Sequence, residues 1–123
     1  MGKKILVVED DSVLQMTLKD FLSSKGLEVV SAINGEEGIR FAKVSNPDII
    51  LLDLILPKKD GFEVLKEIKS DPTTKETPVI LLTNLEGLNN IQRAIEMGAS
   101  TYLVKSDYKL EEIYEKIKET LEK

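Results

Sequence analysis

The chain contains no cysteine and no histidine. The first absence excludes disulfides, a thiolate nucleophile and a sulfur-ligated metal. The second excludes imidazole acid-base chemistry, imidazole metal ligands and a phosphohistidine on this chain. Long hydrophobic runs are missing as well: none approaches the roughly 20 residues that cross a bilayer. Met1-Gly2-Lys3-Lys4 carries two positive charges, but only Ile5-Leu6-Val7-Val8 follows before Glu9, too short an apolar stretch for a signal peptide. Leu6 occupies the position where a myristoylation signal has Ser or Thr. A cytoplasmic location is the expectation. There is no surplus of positive charge either: the net charge is -5 and the pI about 4.9. That balance argues against direct nucleic-acid binding and against docking to an anionic membrane. Linkers, internal repeats and low-complexity segments are also lacking. What remains is 123 residues, 41% hydrophobic and 32% charged, enough for one domain with a real core, expected to span residues 1–123.

One acidic residue stands out. Asp53 interrupts the apolar run Ile49-Ile50-Leu51-Leu52-Asp53-Leu54-Ile55-Leu56-Pro57. Buried without a partner, a carboxylate there costs several kcal/mol, so it asks for a chemical reason. A second acidic cluster, Glu9-Asp10-Asp11, directly follows the apolar run Ile5 to Val8. Two short hydrophobic strands that each end in carboxylate point to an oxygen-rich cation site.

The rest of the chain alternates between two periodicities. Strands are expected at Ile5–Val8, Leu27–Ala32, Asp48–Leu52, Val79–Leu82 and Thr101–Val104. Between them, helical stripes run over 12–25 (Leu14, Leu18, Phe21, Leu22), from Asn34-Gly35 to about Val44, and from Asp60-Gly61 to about Ser70 (Phe62, Leu65, Ile68). A fourth stripe is carried by Ile91, Ala94 and Ile95, and a last one by Leu110, Ile113, Tyr114, Ile117 and Leu121. Ser12 to Gln15 fits a capping box, and Gly26 and Gly98 fit helix stops. Five successive β-α units with near-continuous apolar strands imply an α/β fold, a parallel sheet with helices on both faces. Ligand sites in such sheets lie at the carboxyl ends of the strands. Glu9, Asp10, Asp53, Thr83 and Lys105 all fall at or just after strand ends on that side.

Their chemistry is coherent. Carboxylates crowded together need protonation or a cation, and with oxygen ligands alone the cation is a hard one such as Mg²⁺. Lys105 adds a positive charge and Thr83 a hydroxyl donor, both suited to phosphoryl oxygens. Asp53 then becomes a nucleophile for phosphoryl transfer. Each residue also has a plainer reading. Asp10 and Asp11 suit a helix cap, Thr83 a strand, Lys105 a solvated surface and Tyr102 the core.

Four motifs carry a resemblance: Ile5-Leu6-Val7-Val8-Glu9-Asp10-Asp11; Asp48 to Pro57 with Asp60-Gly61; Pro78-Val79-Ile80-Leu81-Leu82-Thr83; and Gly98 to Lys105. In order and spacing, across essentially the whole chain, they resemble the CheY-like receiver domains of two-component response regulators. The resemblance implies a doubly wound, flavodoxin-like sheet of order 2-1-3-4-5 with five helices. It implies that Asp53 accepts a phosphoryl group from a phosphohistidine on a sensor histidine kinase or phosphotransfer protein. Asp10, Asp53 and the backbone carbonyl of Ile55 would ligate Mg²⁺, with Glu9 acting through a bound water. Thr83 and Lys105 would contact the phosphoryl oxygens, and Thr83 with Tyr102 would form a switch. Such a domain signals to a downstream protein target through the face made by the fourth helix, fifth strand and fifth helix. It is not an enzyme in the usual sense, since it catalyses only its own phosphorylation and dephosphorylation.

Two positions depart from the pattern. Ser106 follows Lys105 where the family usually has Pro in a cis peptide; a cis Lys-Ser bond costs about 3 kcal/mol or more, so a trans bond or a strained loop is expected. Asn84 follows Thr83 where a small residue is common, and Ile55 offers no group to orient a hydrolytic water. Both features favour a long-lived phosphoryl-Asp53. The rival readings fare worse. A haloacid-dehalogenase-type phosphatase needs an Asp at position 55, and a flavin module needs a phosphate cradle where Glu9-Asp10-Asp11 would repel phosphate. A degenerate receiver that acts only as a protein-interaction module is the alternative within the family. No output domain follows Lys123, so a stand-alone receiver or a piece of a longer regulator is expected.

Overall fold

The computed structural model describes the backbone of residues 2–54, 60–83, 88–104 and 109–122, and the side chains of all of these except 88–90. Among the described residues the chain forms five strands and five helices. They are β1 (Lys4–Val8), α1 (Ser12–Ser24), β2 (Glu28–Ala32), α2 (Gly35–Ser45), β3 (Ile49–Asp53), α3 (Gly61–Ser70), β4 (Val79–Thr83), α4 (Leu88–Glu96), β5 (Thr101–Val104) and α5 (Leu110–Leu121). All strand pairs are parallel, in the order β2-β1-β3-β4-β5. The expected elements are all present, with boundaries shifted by a residue or two.

The alternation of side chains along each strand divides the core in two. Leu6, Val8, Ile50, Leu52, Val79 and Leu81 pack with Ala42 of α2, Val64, Leu65 and Ile68 of α3, and Ala94 of α4. Ile5, Val7, Ile49, Leu51, Ile80 and Leu82 pack with Leu18 and Leu22 of α1 and Ile113 and Ile117 of α5. Each central strand is therefore buried on both faces, which is why its sequence reads as an unbroken apolar run. Helices cover both sides of the sheet as expected.

Local chemistry sets the helix ends. Asn34 and Asp60 cap α2 and α3 by accepting from Glu37 N (2.9 Å) and Glu63 N (3.1 Å). Asn46 closes α2 in the left-handed region, φ 51°. Phe62 packs against the core as expected but is only partly buried, under the guanidinium of Arg93, 4.4 Å from the ring centroid, and Ile95 of the fourth stripe is 39% exposed. At the edge of the sheet opposite the acidic residues, Lys69 donates to the carbonyls of Lys75 (3.1 Å) and Thr77 (2.8 Å) and closes the turn before β4. Burial holds its pKa below the ordinary lysine value.

Gly61 makes the closest approach. Its N–H donates to Leu54 O at 2.9 Å, and a Cβ there would stand 2.4 Å from Leu54 Cα and 2.6 Å from Asp53 O. Backbone cannot yield as a side chain can. At Gly38 the nearest atom to an added Cβ is a Val8 methyl at 3.0 Å, and that methyl can turn or shift. Urea unfolding should therefore rank the two alanine variants: Gly61→Ala loses about 2–3 kcal/mol and Gly38→Ala about 1 kcal/mol or less. Equal losses would contradict this packing.

Candidate functional site

The strand register assembles the acidic residues. Val8 pairs with Leu52, so the chain leaving β1 runs beside the end of β3 and brings Glu9 next to Asp53. One carboxylate oxygen from each of Glu9, Asp10 and Asp53 lies within 4.8 Å of the others. Glu9 is 0% and Asp53 2% exposed, whereas Asp10 faces solvent. Carboxylates this close repel one another strongly where water is scarce. An oxygen-only donor set with one solvent-facing member fits a hard divalent cation that keeps some of its waters. Glu9 is further held by the backbone, since its Oε2 accepts from Asp11 N at 2.9 Å.

Asp11 stands apart from this cluster. It is the N-cap of α1, its Oδ1 accepting from Val13 N (2.9 Å) and Leu14 N (3.2 Å). The expected capping box at Ser12–Gln15 is thus displaced: Ser12 is the first helical residue and the cap lies one position earlier. Asp and Ser rank equally as caps, so propensity could not choose between neighbours. Gln15, expected to serve that box, is buried beneath the acidic loop. Its Nε2 faces the carbonyl oxygens of Glu9 (3.0 Å), Ala32 (3.0 Å) and Val7 (3.2 Å). Only the lone polar residue on the inner face of an otherwise apolar helix stripe hinted at it.

Thr83 ends β4 fully buried, one residue beyond Leu82, the partner of Asp53 in the β3–β4 register. Thr83 pairs with Val104 and Leu81 with Tyr102, so Thr83 and Tyr102 lie on one face of the sheet, a single step apart diagonally. Tyr102 is 39% exposed because β5 is an edge strand, which departs from the core position usual for a strand aromatic. Lys105, Ser106 with its preceding peptide bond, Ile55 with its carbonyl, and Asn84 lie outside the described residues. The structure thus brings Glu9, Asp10 and Asp53 together and places Thr83 and Tyr102 on one face of the neighbouring strands β4 and β5.

Comparison with known proteins gives this arrangement a family. Residues 5–118 match the response regulator receiver domain. Transcriptional regulatory protein CiaR of Streptococcus pneumoniae is 42% identical over 120 residues, 98% of this chain. The chain spans about half of that protein, 52% of its length. Among solved structures, the receiver domain of sensor histidine kinase PA1611 from Pseudomonas aeruginosa superposes with a TM-score of 0.90, 28% identity and 100% coverage of both chains. That structure holds a magnesium ion coordinated in its active-site cleft. The BeF3-activated N-terminal receiver domain of Klebsiella pneumoniae RstA also gives 0.90, at 28% identity, covering 98% of this chain and 100% of the other. From its central sheet to its acidic strand ends, this chain belongs to the response regulator receiver domain family of two-component signalling.

Proposed function

We propose that residues 1–123 form one receiver domain that takes a phosphoryl group on Asp53 in a Mg²⁺-dependent reaction. The observation that carries this reading is the meeting of the Glu9, Asp10 and Asp53 carboxylates within 4.8 Å, with Asp53 almost fully buried. Asp10 and Asp53 would hold the ion directly, together with the Ile55 carbonyl, and Glu9 would hold one of its waters. Magnesium bound there would neutralise the carboxylates and draw the oxygens of an incoming phosphoryl group toward them. The magnesium-bound PA1611 receiver supports the choice of ion.

The chain's own residues then do the positioning. A carboxylate oxygen of Asp53 attacks phosphorus; the new O–P bond forms as the donor's bond to phosphorus breaks, and the electron pair leaves with the donor. Residues 1–123 hold no histidine, so a phosphohistidine donor must lie outside them, as on a sensor histidine kinase or a phosphotransfer protein. The Thr83 hydroxyl donates to a phosphoryl oxygen and Lys105 supplies positive charge. Hydrolysis reverses the outcome: water attacks phosphorus and frees phosphate and the Asp53 carboxylate. The similarity to the BeF3-activated RstA receiver domain supports a phosphoacceptor role.

Signalling follows from the Thr83–Tyr102 step across β4 and β5. A threonine drawn toward the phosphoryl group leaves space on the face it shares with Tyr102, and the half-exposed ring can turn inward. Tyr102, Val104, Glu112 and Glu115 line a groove beside β5, so the turn would reshape the surface offered to a downstream protein. The relative CiaR is named a transcriptional regulator, but the acidic balance of the present chain argues against direct nucleic-acid contact here. No described helix is long and apolar enough to cross a membrane.

Acetyl phosphate with Mg²⁺ should add one phosphoryl group by intact mass, and Asp53→Asn should add none. Equal labelling of the Asn variant would overturn the assignment, and no labelling of the natural chain would leave a degenerate receiver that works only through protein contacts. Glu9→Gln, which keeps the size and removes the charge, should slow labelling by about tenfold at fixed Mg²⁺. A rate unchanged across Mg²⁺ concentrations would remove Glu9 from the ion's surroundings. The label on purified phosphoprotein should persist for minutes or longer in Mg²⁺ buffer, given Ile55 and Asn84; decay within seconds would contradict that reading.

A further inference from the structure

Gln15 is 7% exposed and sits where the acidic loop leaves β1. Its single amide nitrogen meets the carbonyls of Val7, Glu9 and Ala32 at 3.0–3.2 Å. Ala32 O also accepts from Glu9 N at 3.0 Å, so one helix side chain ties the ends of β1 and β2 to the residue that carries a buried carboxylate. Only the NH2 end of the amide can face that way, because an oxygen would repel all three carbonyls. The other end pays for this: Oε1 is buried with no hydrogen-bond partner among the described residues.

An amide is therefore an imperfect tool for the task. It has two protons for three acceptors, and a buried acceptor without a donor destabilises the fold. A lysine would bring three donors and no acceptor. What it would also bring is a positive charge one carbonyl away from Glu9, in a place where charges are poorly screened. That charge would compete with a bound cation for the same carboxylates. We infer that Gln15 is a positioning residue for the cation: it clamps the carbonyls beneath Glu9 and Asp10, and by doing so without charge it leaves their full negative potential to the ion. The inference rests on the cation reading above and adds to it a residue that touches neither ion nor phosphoryl group.

Stability and ion affinity should therefore separate. With Mg²⁺ binding measured by calorimetry and thermal unfolding measured without metal, Gln15→Lys should melt within a few degrees of the natural chain yet bind Mg²⁺ about tenfold more weakly, or worse. Gln15→Met, of similar size with no donor, should both melt lower and bind more weakly. A folded Gln15→Lys chain whose affinity lies within about threefold of the natural one overturns the proposal, since a purely structural clamp would leave binding alone. The natural chain supplies a readout that needs no variant. In a Mg²⁺ titration followed by NMR, the Gln15 side-chain NH2 signals should move with the same midpoint as the Asp10 amide, and signals that stay fixed overturn it. A natural chain that takes up no Mg²⁺ sinks the cation reading and this one together, whereas normal binding with fixed Gln15 signals sinks this one alone.

Discussion

Two carboxylates lie buried where apolar strands end, and much of this molecule follows from that. Glu9 and Asp53 are almost completely withdrawn from water, and the exposed Asp10 stands against them. Charges of one sign so placed are unfavourable by several kcal/mol unless something of opposite sign joins them. Folding gains nothing from the arrangement, whereas a divalent cation placed among these carboxylates would relieve their repulsion. The fold is in this sense a device for holding acids closer together than they would stay by themselves.

The surrounding structure meets that demand with rigid parts. β1, β3 and β4 are central or near-central strands buried on both faces, so the residues at their ends have little freedom to drift. Asp11 caps α1 and its own N–H holds Glu9, which joins helix start and buried acid in a few consecutive residues. Gly61 lets α3 begin directly against the backbone of Asp53 and Leu54, a distance no side chain would permit. Exposure belongs instead to the rim, where Tyr102 stands partly in solvent on the edge strand, diagonal to the buried Thr83.

Much of this was legible in the linear sequence because a charge inside an apolar run is hard to mistake. Asp53 announced itself that way, and the strands showed as short Ile, Leu and Val runs because both of their faces are covered. The five-stranded parallel sheet and its five helices followed from the alternation; the strand order came from family resemblance, since no local pattern encodes which strands lie side by side. Finer detail was lost for identifiable reasons. Asp11 and Ser12 are equally good caps, so the cap falls one residue before the expected one. Gln15 bonds to Ala32, 17 positions away, and no periodicity reports such a partner. Ile95 fits a helical stripe yet keeps more than a third of its surface in solvent, because a stripe marks an apolar face without marking how far the sheet extends beneath it. Tyr102 reads two ways, as core or as a side chain that moves beside the site, because strand propensity does not distinguish an edge strand from a central one.

The central claim is that the acidic strand ends capture a divalent ion so that Asp53 can bond to phosphorus, and a crystal structure grown with Mg²⁺ and beryllofluoride tests it most directly. The account predicts beryllium on a carboxylate oxygen of Asp53, magnesium held by Asp10 and Asp53 with Glu9 reaching it through a water, and Thr83 turned toward a fluorine. Magnesium bound away from these carboxylates, or a beryllofluoride group on any other side chain, would contradict it.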